Sequence, residues 1–252
     1  SQGYPAGMGY FHANNSDFPL KEGVVLRCGP VLNTAGPFTT GGGDGVASGM
    51  GDADLQAISI ANGQPNSIND VTFLQFDFTP INDQMSFNFV FASNEYASGF
   101  QCTFADVFAF ILTDLTTGVE TNIALVPGTT IPVSVTTIRN GLHGCDAVNE
   151  EYYDQSNVAG DPINMRGNTV SLVAQSPVIP CRQYRIKLAI GDYLDTTLDS
   201  AVFLEAGSFD IGSLDLGQDY MIEQGTAICP EDSVILNSGL TEIDEGCEIT
   251  YT

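Results

Sequence analysis

Acidic side chains gather at three places in this sequence, each at the end of a predicted strand. Seven acids form these groups: Asp52 and Asp54; Glu95 and Asp106; and Asp192, Asp195 and Asp199. Calcium takes six to eight oxygen ligands, several of them from carboxylates. Two carboxylates ~4 Å apart repel each other by about 4 kcal/mol at an effective dielectric constant of ~20, and a divalent cation removes that repulsion. The sequence therefore predicts calcium as a cofactor held by these acids.

The same acids also have an interpretation without a metal. Asp52 or Asp54 can cap a helix that is predicted to follow them. The segment from Asp192 to Asp199 can be a turn, and Asp106 can accept hydrogen bonds from the backbone. The chain contains no twelve-residue EF-hand loop, so composition rather than a ligand motif indicates calcium.

A loop that combines aromatic and polar side chains is a second candidate binding site. It contains Asn149, Tyr152, Tyr153 and Asp154. Aromatic rings in such loops stack on sugars in lectin-like proteins, while amides and carboxylates hold the hydroxyl groups. In the alternative interpretation, the tyrosines close the edge of a β-sandwich.

Motifs for catalysis are missing from the sequence. Neither a GxSxG nucleophile elbow nor an HExxH zinc motif occurs. A serine or cysteine nucleophile would need His12 or His143 as its base, and we expect His143 to lie in a surface loop. Paired carboxylates hydrolyse glycosides, but among 31 acids some suitable pair always occurs. We therefore expect this chain to bind or display rather than to catalyse.

Alternating hydrophobicity predicts that strands position these residues. Phe87, Phe89 and Phe91 share one face of a strand, and residues 184–190 alternate in the same way. Further strands are predicted at 23–27, 71–78, 107–112, 121–125, 131–137, 169–174 and 201–209. One short helix is predicted from about Asp54 to Asn62. The pattern indicates an all-β fold, a jelly-roll-like antiparallel β-sandwich with one short helix.

The charge of the chain excludes some classes of partner. Seven Lys and Arg against 31 Asp and Glu give a formal net charge of −24. This field repels nucleic acid and anionic membrane surfaces and concentrates cations. No apolar run approaches the ~20 residues of a membrane span, so we expect no direct membrane insertion.

Six cysteines without a CxxC pair indicate three disulfides formed in an oxidising compartment. We favour Cys229 with Cys247, because both lie in the same C-terminal segment. The other predicted pairs are Cys102 with Cys145 and Cys28 with Cys181.

Eight motifs occur in order between residues 8 and 211. They are GYF at 9–11 with FP at 18–19, GVVL at 23–26, GDADL at 51–55, LQFDFTP at 74–80, FNFVFASNEY at 87–96, FADVFAF at 104–110, NIALVPG at 122–128 and DSAVFLEAGSF at 199–209. Together they resemble the choice-of-anchor L family of bacterial secreted surface proteins. The resemblance implies large multidomain proteins exported by the type IX route, often with immunoglobulin-like repeats and often adhesins, some of them mobile in gliding bacteria. It carries over no catalytic residue. Asn94 departs from the family, where glutamate is more frequent, which reduces the charge of the second acidic group.

The motifs and the strand pattern also predict the domain organisation. We expect residues 1–213 to form the sandwich domain, and residues 214–252 to form a linker and the start of an immunoglobulin-like domain that contains Cys229 and Cys247. The hypothesis is an extracellular adhesion or ligand-presenting module of a large cell-surface protein, with loops ordered by calcium. Its partners would be a host or surface glycan or protein, or neighbouring subunits. The alternatives are a lectin-like carbohydrate-binding domain and a structural spacer or filament subunit.

Overall fold

The computed structural model describes residues 2–3, 6–40 and 50–212 of the 252-residue chain. Within these ranges it forms twelve strands, one α-helix and three short 3-10 helices. The strands are β1 (Gln2–Gly3), β2 (Met8–His12), β3 (Glu22–Arg27), β4 (Ile68–Phe78), β5 (Gln84–Ser93), β6 (Val107–Asp114), β7 (Glu120–Asn122), β8 (Tyr153–Ser156), β9 (Gly167–Thr169), β10 (Leu172–Pro177), β11 (Tyr184–Tyr193) and β12 (Ser200–Glu205). The helix is α1 (Ala53–Ala61), and the 3-10 helices are Val31–Thr34, Phe100–Cys102 and Glu150–Tyr152.

The strands form two sheets that pack face to face. One sheet has five strands in the order β1-β4-β11-β6-β7. The other has seven strands in the order β2-β3-β12-β5-β9-β8, with β10 also paired to β5. Every pairing between these strands is antiparallel. This confirms the predicted all-β antiparallel sandwich with one short helix.

Phenylalanines on two facing strands form the centre of the core. Phe89 and Phe91 of β5 are buried against Phe108 and Phe110 of β6. The ring centroids of Phe89 and Phe110 lie 4.9 Å apart, and those of Phe91 and Phe108 also lie 4.9 Å apart. Burying one such side chain contributes about 1.5–3 kcal/mol. Because a one-residue slip would turn all of these rings outward, the rings specify the register of both strands.

Helix α1 covers the outer face of the five-stranded sheet. Its N-terminus is capped by Asp52, whose Oδ1 accepts hydrogen bonds from the N–H groups of Asp54 and Leu55 at 3.1 Å. Leu55 is fully buried in a cluster with Ala109 of β6 and Ala189 of β11. No helix among the described residues is long and apolar enough to cross a membrane.

Two predicted strands are shorter in the structure, since 121–125 is reduced to β7 and 201–209 ends at Glu205, and two others differ more. Residues 131–137 form a loop, in which the Ser134 N–H donates to Thr137 Oγ1 at 2.9 Å and this hydroxyl donates to the Pro132 carbonyl at 2.7 Å. The Thr137 hydroxyl therefore takes the place of a strand partner for these two backbone groups, and only residues 131–133 keep strand-type backbone hydrogen bonds, to residues 124 and 126. The strand predicted at 169–174 is divided between β9 and β10, which pair with different parts of β5.

The disulfide predictions are confirmed in one case and wrong in another. Cys102 is bonded to Cys145 as predicted. Cys28 is a free, buried cysteine and Cys181 is disulfide-bonded, so the predicted Cys28–Cys181 pair is wrong. The reason is distance: Cys28 contacts the last residues of β11, whereas Cys181 precedes the first. Ten residues of strand separate these two ends by about 30 Å. The pair of Cys229 and Cys247, with the rest of the predicted C-terminal domain, lies outside the described residues.

Candidate metal centre

Five residues with donor side chains meet at one end of the sandwich. Cys28 and Glu95 follow β3 and β5, Asp192 lies at the end of β11, and Asp106 and Asp199 directly precede β6 and β12. The strand registers bring these positions together, because β12 pairs with both β3 and β5 while β6 pairs with β11. All five side chains are buried. Most of the second and third predicted acidic groups therefore form one cluster.

Three of these residues, Cys28, Asp106 and Asp192, form what we call the buried centre. Cys28 Sγ lies 3.0 Å from Asp192 Oδ1 and 3.7 Å from Asp106 Oδ2. One donor atom from each residue lies within 4.8 Å of the other two. Each residue is at most 2% exposed. Three donors this close together and shielded from water form an arrangement that can hold a metal ion.

Backbone groups fix the orientation of these donors. The Tyr193 N–H donates to Asp106 Oδ1 at 3.1 Å, which leaves the other carboxylate oxygen facing Cys28. The Ser200 N–H donates to Cys28 Sγ at 3.1 Å. The Asp106 N–H in turn donates to Glu95 Oε2 at 2.9 Å. Glu95 therefore supports the loop that carries Asp106.

A buried ion pair flanks the centre. Arg27 Nε donates to Asp199 Oδ2 at 2.8 Å, and neither side chain is more than 2% exposed. Arg27 also donates to Thr34 Oγ1 at 3.1 Å. A Cβ atom at Gly29 would lie 1.9 Å from Asp199 Oδ2, so glycine is required where this carboxylate approaches the backbone. Asp199 thus has a cationic partner of its own.

Burial raises the pKa of the ionisable groups in this cluster. Desolvation raises the pKa of Asp106 from 3.8 to about 7. Desolvation, followed by the charges of Asp106 and Asp199, raises the pKa of Asp192 to about 11. Desolvation is also the main cause that raises the pKa of Cys28 and of Glu95 well above their ordinary values. The metal-free centre therefore retains protons at neutral pH, and a divalent cation would take their place.

One carboxylate oxygen in the centre has no hydrogen-bond partner among the described residues. This atom, Oδ2 of Asp192, is buried. Leaving a buried acceptor unsatisfied costs about 1–3 kcal/mol. A cation bound at the centre would supply the missing contact.

The first predicted acidic group lies elsewhere and already has a cation. Lys187 Nζ lies 2.5 Å from Asp52 Oδ2 and 2.7 Å from Asp54 Oδ2. Burial lowers the pKa of Lys187, but the hydrogen bonds that its ammonium group donates to these two carboxylates outweigh burial and raise the pKa overall. This group includes the helix cap that the interpretation without a metal predicts, and it also forms an ion pair with Lys187 that the sequence analysis does not predict.

Asp195 of the third group lies apart from the buried centre. It is exposed, and its Oδ1 accepts hydrogen bonds from the Thr197 N–H at 2.9 Å and from the Thr197 hydroxyl at 3.1 Å. Asp195 therefore closes a turn between β11 and β12.

The four residues of the aromatic and polar loop contact other parts of the fold. Asn149 Nδ2 donates to the Thr137 carbonyl at 2.8 Å, and Asp154 Oδ2 accepts from Asn168 Nδ2 at 3.0 Å. Tyr152 packs against the main core. The Tyr153 ring makes an edge contact with Tyr96, with centroids 5.0 Å apart, and its hydroxyl bonds to Ser156 at 2.8 Å. These contacts match the interpretation in which the tyrosines close the edge of the sandwich.

Sequence reasoning misses two residues of the site, Cys28 and Arg27. Cys28 directly follows a predicted strand, and Glu95 lies two residues after β5, so a donor side chain close to a strand end is the signal that could have identified Cys28. Arg27 lies in the predicted strand 23–27, within an otherwise apolar stretch. A lone buried cation there indicates a buried anion as its partner.

Comparison with known proteins gives one match. The family model described as "Choice-of-anchor L domain" matches residues 1–210. That range contains the whole buried centre and its flanking ion pair. No curated protein and no solved structure matches the chain significantly.

Proposed function

Since the chain belongs to the choice-of-anchor L domain family, we propose that it is an adhesion or ligand-presenting module of a larger surface protein. The family places it among secreted or surface-associated proteins. In the proposal, a divalent cation bound at the buried centre orders the loops at that end of the sandwich. Calcium is the first cation to test, because carboxylates dominate the cluster. The role is one of binding and display rather than catalysis.

The observation that carries the proposal is the position of the buried centre beneath three loops. Residues 28–40 leave β3 there, residues 94–106 connect β5 to β6, and residues 194–199 connect β11 to β12. Each of these loops begins or ends beside a donor of the cluster. Binding energy at the centre therefore acts on all three loops at once, which is how a cation would set the shape of a recognition surface.

The 94–106 loop has the features of a presenting element. Phe100 and Phe104 are 40% and 38% exposed, and their ring centroids lie 6.4 Å apart. The disulfide between Cys102 and Cys145 anchors the loop to a second one that carries Leu142, which is 53% exposed. Exposed aromatic side chains on a rigid support are typical of binding surfaces.

The cation can be tested on the purified domain by hydrogen exchange and thermal unfolding with and without calcium. We expect chelator to speed amide exchange in the three loops and to leave the β4–β11 pairing protected. At 100 times its dissociation constant, calcium should stabilise the fold by about 2.7 kcal/mol. The Asp195→Asn variant is the control, because this exposed acid lies outside the centre and its loss should leave the response to calcium unchanged. If no divalent cation changes the exchange rates or the unfolding midpoint, the proposal that a bound cation orders these loops is contradicted.

Presentation can be tested with beads that carry the domain, applied to a glycan array and to surfaces coated with the same domain. We expect the double variant Phe100→Ser with Phe104→Ser to bind less than wild type at equal fold stability. Binding to glycans that instead depends on Tyr153 would favour the lectin-like alternative. Discrete oligomers or filaments without surface binding would favour the spacer or filament alternative.

The longer protein is part of the same proposal. We propose type IX export from the family resemblance, and an immunoglobulin-like domain in residues 214–252 from that resemblance together with the strand pattern of the sequence. Expression of the natural chain in a type IX-competent host, compared with a host lacking that export system, tests the route. Surface display in both hosts would contradict it.

A further inference from the structure

We propose that the buried centre binds a zinc-class divalent ion through the Cys28 thiolate together with Asp106 and Asp192. This inference rests on the proposed function, which holds that a cation binds at the buried centre. It differs in the identity of that cation, which is a thiophilic metal rather than calcium.

The types of donor favour a metal that accepts sulfur. Calcium takes six to eight oxygen ligands, and sulfur is not among them. The three donors within 4.8 Å of one another are one thiol and two carboxylates. Zinc is bound by cysteine sulfur and carboxylate oxygen, and it needs only four ligands. A small, buried set that contains sulfur therefore suits zinc better than calcium.

The distances between the donors also match zinc. With Zn–S at about 2.3 Å and Zn–O at about 2.0 Å, a tetrahedral site places its sulfur about 3.5 Å from each oxygen ligand. Cys28 Sγ lies 3.0 Å from Asp192 Oδ1 and 3.7 Å from Asp106 Oδ2. These two distances lie on either side of the tetrahedral value, so small side-chain shifts would close the site around a zinc ion.

The groups around the donors resemble the outer shell of a metal site. The Ser200 N–H donates to Cys28 Sγ at 3.1 Å and would stabilise the thiolate form. The Tyr193 N–H holds one oxygen of Asp106 at 3.1 Å, and the other oxygen faces the sulfur. The Ser200 carbonyl lies 3.4 Å from Cys28 Sγ and is a candidate for the fourth ligand, as is a water molecule.

The unsatisfied oxygen of Asp192 is an independent sign of a missing ligand. Asp192 is 1% exposed, and its Oδ2 has no hydrogen-bond partner among the described residues. Its other oxygen is 3.0 Å from Cys28 Sγ, so the carboxylate points into the centre. The Arg27 guanidinium does not replace a metal here, because it forms its ion pair with Asp199.

Cobalt provides a direct probe, because Co²⁺ occupies zinc sites and a thiolate ligand gives it a charge-transfer absorption in the near ultraviolet. We expect the metal-free domain to bind one equivalent of Co²⁺ with this absorption, and Zn²⁺ but not Ca²⁺ to displace it. The Cys28→Ser variant should lose the absorption and bind Zn²⁺ more than about 100-fold more weakly, beyond the loss caused by outer-shell changes. Serine supplies oxygen in place of sulfur, so the same variant should bind Ca²⁺ at least as well as wild type. Asp195→Asn is the matched control and should behave as wild type.

The outcomes separate this inference from the proposed function. Stabilisation by Ca²⁺ without a thiolate-to-cobalt absorption in wild type would overturn sulfur coordination and leave the cation-ordered loops standing. Failure of Ca²⁺, Zn²⁺ and Co²⁺ alike to bind would overturn both. Since the absorption is measured on the wild-type domain, the inference is decided even where Cys28→Ser does not fold.

Discussion

The pair of Asp52 and Asp54 and the buried centre have similar acidic sequence patterns, but their negative charges are compensated in different ways. In the first, Lys187 lies within 2.7 Å of both carboxylates at the partly exposed start of α1. In the second, Asp106 and Asp192 face each other and a thiol in the interior. In the first group, Lys187 balances one of the two negative charges. In the second, Oδ2 of Asp192 has no hydrogen-bond partner within the described part of the chain, and the pKa values of Asp106 and Asp192 are raised.

The difference shows that acidic composition alone does not identify a metal site. What distinguishes the two places is whether the fold brings a cation of its own. Lys187 of β11 forms ion pairs with the acids at the helix cap, whereas Arg27, near the centre, forms its ion pair with Asp199. The remaining acids there require protons or a metal ion, since isolated buried charges are too costly.

The largest effect should come from removing the arginine beside the buried centre. Arg27→Met keeps much of the side-chain volume but leaves Asp199 without its cation, and breaking one partner of a buried pair costs about 3–5 kcal/mol. Urea unfolding of the metal-free domain measures this loss. Arg185→Met is the control, because the Arg185–Asp77 pair is about 40% exposed on both sides and should be worth at most about 1 kcal/mol. Equal losses of unfolding free energy in the two variants would show that the buried Arg27–Asp199 pair contributes no more to stability than the exposed Arg185–Asp77 pair.

A smaller effect should follow from pH in the metal-free domain. Desolvation raises the pKa of Asp106 from 3.8 to about 7, so the folded state binds its proton more tightly than the unfolded state. Between these values the folded state holds more protons, and stability must fall as the pH rises. From pH 5 to pH 8 this group alone accounts for about 2–3 kcal/mol. The raised pKa values of Glu95 and Asp192 act in the same direction over this range, whereas the raised pKa of Cys28 takes effect only above its ordinary value of 9.0.

Urea unfolding at several pH values in the presence of chelator measures this dependence. Saturating metal should flatten it, because the ion replaces the protons. If the stability of the metal-free domain instead rises from pH 5 to pH 8, the acids of the cluster are ionised in the folded state and paired with positive charges, as Asp52 and Asp54 are paired with Lys187. Arg27 and Asp199 flank the same cluster, so the Asp106→Asn variant is needed to assign the effect.

Much of this comparison could be predicted from sequence, but the pairing of distant residues could not. Alternation predicts β5, β6, β11 and β12, and the second and third acidic groups lie at strand ends as predicted, whereas Asp52 and Asp54 lie at the start of α1. Cys28 and Asp192 are 164 positions apart, and only the antiparallel register shows that they meet. Asp52 and its cation Lys187 are 135 positions apart, so the sequence does not predict that this lysine pairs with the first acidic group either. Local spacing predicts elements, whereas charge compensation depends on which elements become neighbours.

Removing the lysine of the helix cap should cost much less than removing Arg27. In Lys187→Met, two carboxylates lose their cation at a half-buried site, but Asp54 is 42% exposed and stays partly solvated, so we expect a loss of about 1 kcal/mol. The contact of Lys187 Nζ with the Phe73 ring, 5.2 Å from its centroid, is lost as well. Unfolding at low and high salt measures the effect, which should shrink as salt increases. A salt-independent loss comparable to that of Arg27→Met would erase the distinction between the two regions.

The smallest effect separates capping from charge within the first cluster. Asp52 both caps α1 through its Oδ1 and binds Lys187 through its Oδ2. Asp52→Asn keeps the cap, since asparagine is an equally good N-cap residue, and should cost only a few tenths of a kcal/mol. Asp52→Ala loses the cap as well and should cost about 1 kcal/mol more. Circular dichroism during urea unfolding measures both variants. If instead Asp52→Asn costs as much as Asp52→Ala, the charge and not the cap is what this aspartate contributes, and the pair of Asp52 and Asp54 resembles the buried centre more closely than its pairing with Lys187 indicates.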